Sequence, residues 1–237
     1  MATLTQTVRW DLRLQLRSFI YPATVVSTAL ICGFILVLPV ETLPMEWAAF
    51  FVFMDPALIG LSFVGAIVLM EKAEGTIFAL GVTPMAPATY VAAKTITLTL
   101  LAFASGLIVA YVAADHIELW RLLVALTLSS TFAVLVGLAC VARVPSMNKL
   151  MITLLWVEII ILLPVLAHFA VLPDAFTPVL ALIPSYAILV AISLSLQPDE
   201  VPLWAEIYAY GYLLLWCVIG WFWAIREYTR SIVTEGR

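Results

Sequence analysis

Residues 175–196 read AFTPVLALIPSYAILVAISLSL. The stretch is uncharged and long enough to cross a bilayer, yet Pro178 and Pro184 interrupt it. Proline removes a backbone donor and breaks a helix interior. If the stretch crosses, the chain has seven membrane spans; if it turns back, it has six. The remaining apolar runs are unambiguous: 19–40, 47–70, 95–114, 122–142, 150–172 and 207–225. Each approaches the ~20 residues that a spanning helix needs.

Charge decides between the two counts. Lys and Arg collect in cytoplasmic loops, whereas acidic residues carry little weight. With six spans and an inside N-terminus, ten of the 11 basic residues share one side: Arg9, Arg13, Arg17, Lys72, Lys94, Arg143, Lys149, Arg226, Arg230 and Arg237. Arg121 stands alone opposite them. A seventh span would move Arg226, Arg230 and Arg237 across, giving seven against four. The sequence therefore predicts an all-α integral membrane protein with six transmembrane helices and both termini cytoplasmic. Residues 175–196 become a re-entrant pair of short helices on the outer side between spans five and six. Such broken backbone is tolerated at membrane depth where protein or water covers it.

Composition agrees. Of 237 residues 65% are hydrophobic and 11% charged, and mean hydropathy is +1.14. A soluble domain carries roughly 25% charged residues, so this chain lacks the groups to cover a water-facing surface. The same apolar excess excludes disorder. The first run is too long for a signal-peptide core and is expected to be retained. A net charge of −4 gives no footprint for nucleic acid. Cys32, Cys140 and Cys217 lie inside apolar runs, and an odd number of thiols at that depth makes a poor disulfide framework. The chain has no phosphate-cradling G-x-x-x-x-G-K-[ST], no H-E-x-x-H and no G-x-S-x-G. His116 and His168 lack clustered partners at metal-ligand spacing. No cofactor is expected on this chain.

Three segments carry more than span-building. In residues 3–18, TLTQTVRWDLRLQLRS, Arg9, Arg13 and Arg17 recur every fourth position, with Leu4, Val8, Leu12, Leu16 and Phe19 broadly opposite. That spacing predicts an amphipathic helix in the inner interface, its arginines toward lipid headgroups. An ordinary basic flank to the first span has the same composition. The second segment is the longest inner loop, EKAEGTIFALGVTPMAPATYVAAK, Glu71 to Lys94. Gly75 loosens the backbone, Thr76 to Leu80 suit one short amphipathic helix, and Gly81, Pro84 and Pro87 turn the chain back. A helix held between turns at the membrane face suits a cytosolic motor that pushes on it; a plain connector satisfies the same residues.

The loop's order E-x-x-E-G-T, then leucine, T-P and Y-x-x-x-K resembles the type 2 ABC-transporter permeases. The matching positions are Glu71, Glu74, Gly75, Thr76, Leu80, Thr83, Pro84, Tyr90 and Lys94. The opening RWDLRLQLR (Arg9 to Arg17) and the segment IPSYAILVAISL (Ile183 to Leu194) are similar to permeases of this kind as well. Drug exporters of the fluoroquinolone-exporter kind look nearest in size and style. The resemblance implies a six-span half-transporter, an interfacial N-terminal helix and re-entrant helices between spans five and six. It also implies that the loop couples to a separate cytosolic ABC ATPase, through Glu71, Glu74, Gly75, Thr76, Leu80, Thr83 and Pro84. ATP-Mg would be bound by that partner. A second permease chain, identical or paralogous, would complete the pathway in the cell membrane for an amphiphilic drug or lipid-like substrate.

The third feature is polar groups at membrane depth. Glu158 is expected near the inner third of span five, where an ionisable group marks function or a buried partner. It suits a cationic-substrate contact on the pathway or a hydrogen-bonded packing carboxylate. Asp55 is expected close to the outer interface and wet. Ser62, Gly65, Ser105, Gly106, Ser129 and Gly137 are small residues that let helices pack closely. The tryptophans near span ends, Trp47, Trp120, Trp204, Trp221 and Trp223, suit an interfacial belt. Two other classes remain open: a proton-coupled secondary carrier using Glu158, and a non-transporting assembly or sensory subunit. A carrier predicts inverted repeats, and none is visible in the sequence.

Overall fold

A computed structural model describes residues 4–38, 43–75, 85–197 and 202–235. Every regular element among them is helical. Helix α1 is Leu4–Arg17, α2 is Ile20–Val37, and α3 is Met45–Ala73 with a π-helical turn at Ile59–Phe63. Then follow α4 (Pro87–Ala113), α5 (Leu119–Val141), α6 (Met147–His168) and α7 (Pro184–Leu196). Helix α8 starts at Leu203–Glu206, passes a π-helical turn at Ile207–Gly211 and continues as Tyr212–Glu235. Six helices are long and apolar enough to cross a membrane: α2 to α6 and α8. This is a multi-pass membrane protein.

Successive spans run antiparallel, and both chain ends meet at one end of the bundle, called proximal here. There α1 bonds to Lys94 of α4, and Tyr228 of α8 stacks on Tyr90 with centroids 4.3 Å apart. That juxtaposition requires an even number of crossings. Residues 175–196 accordingly do not span. After α6 they form a short 3-10 turn at Asp174–Phe176, one helical turn at Thr177–Leu180, and then α7. The last turn of α7 reaches the distal end, where the Glu118 N–H donates to the Ser195 carbonyl at 2.8 Å. Its first turn lies deep in the bundle, beside the middles of α5 and α8. Pro184 at the first helical turn tolerates this start, because its missing N–H is one that no helix would satisfy.

The helices outrun the apolar runs that announce them. The second span continues through Glu71 and Lys72 to Ala73, the third begins at Pro87, and the last runs past Arg226. Hydropathy sees only the apolar middle of a helix, whereas the hydrogen-bond ladder continues to a stop signal. For α3 that stop is Gly75, at φ +71°, whose N–H bonds to the Lys72 carbonyl at 3.0 Å. The left-handed conformation costs any other L-residue roughly 1–2 kcal/mol, so this glycine is a helix terminator rather than a loosener.

Helices α3 and α5 form the interior, while α2, α6 and α8 present mostly exposed apolar faces, such as Met151, Trp156 and Phe222. Lipid is as apolar as leucine, so close packing and polar contacts hold such a bundle. Among the described glycines the tightest approach joins the π-helical turn of α3 to α5. A Cβ on Gly60 would stand 2.5 Å from the Ala133 Cβ, and one on Gly137 would stand 2.8 Å from the Gly60 carbonyl oxygen. Gly65 likewise faces Leu150. At the distal end Trp47, Phe50 and Phe169 form an aromatic cluster, and Arg121 of α5 pairs with Glu206 of α8 at 2.9 Å.

Asp55 is not wet. It is 1% exposed within α3, facing Thr28 of α2 and Ser105 of α4. Its place early in the apolar run suggests water, but the side chain lies on the face of α3 that the neighbouring helices cover. Glu158 is likewise nearer the middle of its span than its inner third, since α6 starts at Met147.

Candidate functional site

The segment α1 lies across the proximal end, and its buried face is polar. Asp11 and Gln15, four positions apart, are 2% and 0% exposed. The arginine stripe points the other way, with Arg9, Arg13 and Arg17 exposed together with Trp10 and Leu16. The helix is thus amphipathic in an unusual sense: cations and some apolar groups outward, an acid and an amide inward.

Those inward groups meet the two ends of the α3–α4 loop. Lys94, 1% exposed, donates to the Oδ1 of Asp11 and, at 2.5 Å, to the Oε1 of Glu71. Tyr90, one turn earlier on α4, donates its hydroxyl to the Oε2 of Glu71 at 2.6 Å. The remaining Oδ2 of Asp11 accepts from Gln15 at 2.7 Å and from Thr97 at 2.5 Å. Gln15 also donates to Thr97 at 2.8 Å. All four carboxylate oxygens therefore have donors. Full satisfaction is what makes a buried ionic group tolerable, since an unpaired charge away from water is very costly. The Lys94 ammonium also lies 5.6 Å from the centre of the Tyr90 ring, whose other contact is the stacked Tyr228 of α8.

Around this centre the proximal ends are tied further. Lys72 donates to the carbonyls of Ala142 and Val144 at 2.7 and 3.3 Å, capping the C-terminal end of α5. Arg143 pairs with Glu227 of α8, which Arg230 also approaches. What the contacts do is join: the end of α3 is bonded to α4 at Glu71 and Lys94, to α1 through Asp11, and to α8 through the stacked Tyr90 and Tyr228.

The positions singled out in the sequence separate into three groups. Glu71 is 0% exposed and anchors the clamp from inside. Glu74 is exposed and Gly75 ends the helix. Thr76, Leu80, Thr83 and Pro84 lie outside the described residues, as does the short helix expected between Gly75 and Pro84. Glu158 is not part of the clamp. It is half-buried on α6, where its Oε1 accepts from Ser62 of the π-helical turn at 3.2 Å. The sequence showed Tyr90 and Lys94 only as motif letters, and gave no role to Asp11, Gln15 or Thr97. The available signal was the i, i+4 placement of Asp11 and Gln15 opposite the arginines.

Comparison with known proteins covers the same extent of chain. The sequence model of the Fluoroquinolones export permease protein family matches residues 2–236. Fluoroquinolones export permease proteins from two strains of Mycobacterium tuberculosis are each 29% identical over 222 residues, spanning 93% of this chain and 92% of the relative.

Proposed function

We propose that this chain, which belongs to the fluoroquinolones export permease family, is the membrane subunit of an ATP-driven exporter of amphiphilic drugs. A separate cytosolic ABC ATPase binds ATP-Mg and presses on the α3–α4 loop. The proximal end faces the cytoplasm of the cell membrane, both termini are inside, and a second permease chain completes the pathway.

The observation that carries the mechanism is the buried Asp11–Lys94–Glu71 clamp at the root of that loop. A loop joined to its span ends by soft, solvated contacts would dissipate a push. Here the two ends of the loop are bonded to each other and to α1 by groups that are costly to separate. The push then moves α1, α3, α4 and α8 as one body. The basic face of α1 keeps that body at the level of anionic headgroups, where each exposed arginine contributes about 1 kcal/mol. Glu158 borders the pathway in this scheme and meets cationic substrates.

The deciding experiment is drug accumulation in an efflux-deficient host carrying this chain with or without a P-loop ATPase from its own operon. Lower fluoroquinolone accumulation only with an active ATPase is the expected result. Equal lowering by the chain alone would establish a secondary carrier instead. No lowering under any condition would favour an assembly or sensory subunit.

A further inference from the structure

The chain reverses at residues 181–183, between the helical turn Thr177–Leu180 and the start of α7. Helix α7 has 13 residues and rises about 20 Å at ~1.5 Å each. Its last turn is at the distal end, so the reversal before its first turn lies well inside a bilayer roughly 30 Å thick. Backbone outside a helix is tolerated at such depth only where protein or water satisfies it. The N–H groups of the reversal bond back to its own turn: Ala181 to Thr177 at 2.9 Å, Leu182 to Val179 at 3.2 Å and Ile183 to Leu180 at 2.9 Å. Its carbonyls cannot follow the helical pattern. Pro184 has no N–H to give, and the Tyr186 N–H, which a continuous helix would direct at Leu182, goes to the Ile183 carbonyl at 3.0 Å.

Helix α8 supplies the donors. The Tyr208 hydroxyl donates to the Ala181 carbonyl at 2.7 Å, and the Tyr212 hydroxyl to the Leu182 carbonyl at 2.6 Å. The two rings stack with centroids 5.6 Å apart, and Tyr186 of α7 and Trp216 of α8 extend the column at 6.4 and 6.2 Å. Tyr208 lies inside the π-helical turn Ile207–Gly211, and Tyr212 opens the regular helix that follows. A π-turn carries one residue more than the α-helical ladder needs. On relaxing to α-helix, the residues on its two sides would rotate against each other by about 100°, the angle of one helical residue. The two tyrosines could then no longer face adjacent carbonyls. Past Tyr212 the helix is uninterrupted to Glu235. Tyr228, 16 positions or about 24 Å further on, stacks on Tyr90 of the clamp.

We propose that Tyr208 and Tyr212 are positioning residues that latch the re-entrant turn to α8, and that the π-helical turn is where the latch releases when the Tyr228 end of α8 moves with the clamp. Release frees residues 177–183 from α8 and opens the distal side of the bundle. A turn with two possible registers is a discrete two-state element, which coupling between distant sites requires. Two hydrogen bonds to backbone suit a latch better than an ion pair would, because each is worth little enough to be broken and remade within one cycle. What releases the latch rests on the export scheme; the two bonds are a property of this chain alone.

The latch is tested on the purified chain in lipid nanodiscs, without ATPase. Tyr208→Phe with Tyr212→Phe keeps the ring column and removes only the two hydroxyls. Amide hydrogen exchange over residues 177–187 should rise about tenfold, as the loss of neutral hydrogen bonds implies, while exchange in α3 and α5 stays unchanged. Unchanged exchange over 177–187 would overturn the latch. Release is tested with both tyrosines in place. In a chain whose Cys32, Cys140 and Cys217 are replaced by alanine, Ala181→Cys and Gly211→Cys are bridged by a short flexible bis-methanethiosulfonate; a Cβ at Gly211 meets nothing within 4 Å. With an active ATPase present, bridging should abolish export and reduction should restore it, and the reagent should leave the cysteine-free chain unaffected. Export that survives bridging would make the tyrosines a fixed strut and overturn release. A wild-type chain that exports nothing beside the expected exchange result would remove the export scheme and release with it, leaving the two bonds as a strut.

Discussion

The ammonium of Lys94 bonds to the carboxylate of Asp11, 83 positions earlier in the chain, with both side chains only 2% exposed. One lysine is shared by two acids, so the three residues stand or fall together. Lys94→Met leaves two carboxylates buried without a cation. Removing one partner of a buried pair costs about 3–5 kcal/mol, and the variant should be poorly recovered from membranes or lose α1 from its seat. Asp11→Asn is milder, because the amide oxygen still accepts from Gln15 and Thr97 and Glu71 still pairs with Lys94, while the amide NH2 turned toward Lys94 loses that bond. It should fold, with thermal stability in detergent lowered and protease cleavage before Phe19 increased. Wild-type protection of α1 in Lys94→Met would show that the clamp does not hold it.

Gly75 offers a test that leaves every side-chain contact untouched. A Cβ there meets nothing within 4 Å, so the only penalty is its φ of +71°. Gly75→Ala should cost roughly 1–2 kcal/mol locally, expressed as an altered exit of the loop rather than global unfolding. Export should fall while membrane insertion and thermal stability change little. Gly33→Ala is the control, since its Cβ also meets open space and its φ is ordinary.

Much of the fold is legible because bilayer physics is simple. Apolar runs of about the right length and the ten-to-one distribution of bases give six crossings and both termini together, and they forbid a seventh span at Pro178 and Pro184. Helix ends are less legible. Glu71, Lys72 and the stretch from Pro87 to Lys94 read as loop, yet they are helical: Glu71 and Lys94 pair with each other, and Lys72 bonds to the carbonyls of Ala142 and Val144. The clamp itself is hidden for the same reason. Asp11 looks like one acid in an arginine stripe until a lysine 83 positions away is brought beside it, and single-sequence periodicity carries no such pairing. Asp55 reads as wet from its place early in an apolar run, a measure that does not tell which face of the helix meets its neighbours.

The contact between Gly60 and Gly137 predicts a sharp size threshold. A Cβ at Gly137 would lie 2.8 Å from the Gly60 carbonyl oxygen and 3.3 Å from the Leu61 Cα, both backbone atoms that cannot swing aside. Gly137→Ala should separate α3 from α5 and cost about 1–3 kcal/mol, in the range of overpacked cores. Gly220→Ala, whose Cβ would stand 3.3 Å from the Leu135 Cβ, should cost less because that overlap is smaller. Equal melting temperatures for the two variants in the same detergent would contradict this ranking.

Glu158 distinguishes a pathway from a packing contact. No base lies along α6 near it, and its partner is the Ser62 hydroxyl at 3.2 Å. That bond spans from the half-exposed α6 to the π-helical turn of α3, where a widened helical turn exposes backbone and is often found at functional positions. Glu158→Gln keeps the size and a donor–acceptor pair for Ser62 but removes the charge. If the carboxylate meets substrate, this variant should weaken export of cationic drugs about tenfold, equivalent to ~1.4 kcal/mol, and leave neutral ones unchanged. Expression and thermal stability should stay at wild-type levels. Glu158→Leu removes the hydrogen bond as well and leaves Ser62 unpaired, so it should lower stability by about 1–3 kcal/mol. A silent Glu158→Gln beside a destabilised Glu158→Leu would make the residue a strut between α6 and α3 and exclude a contact with substrate charge.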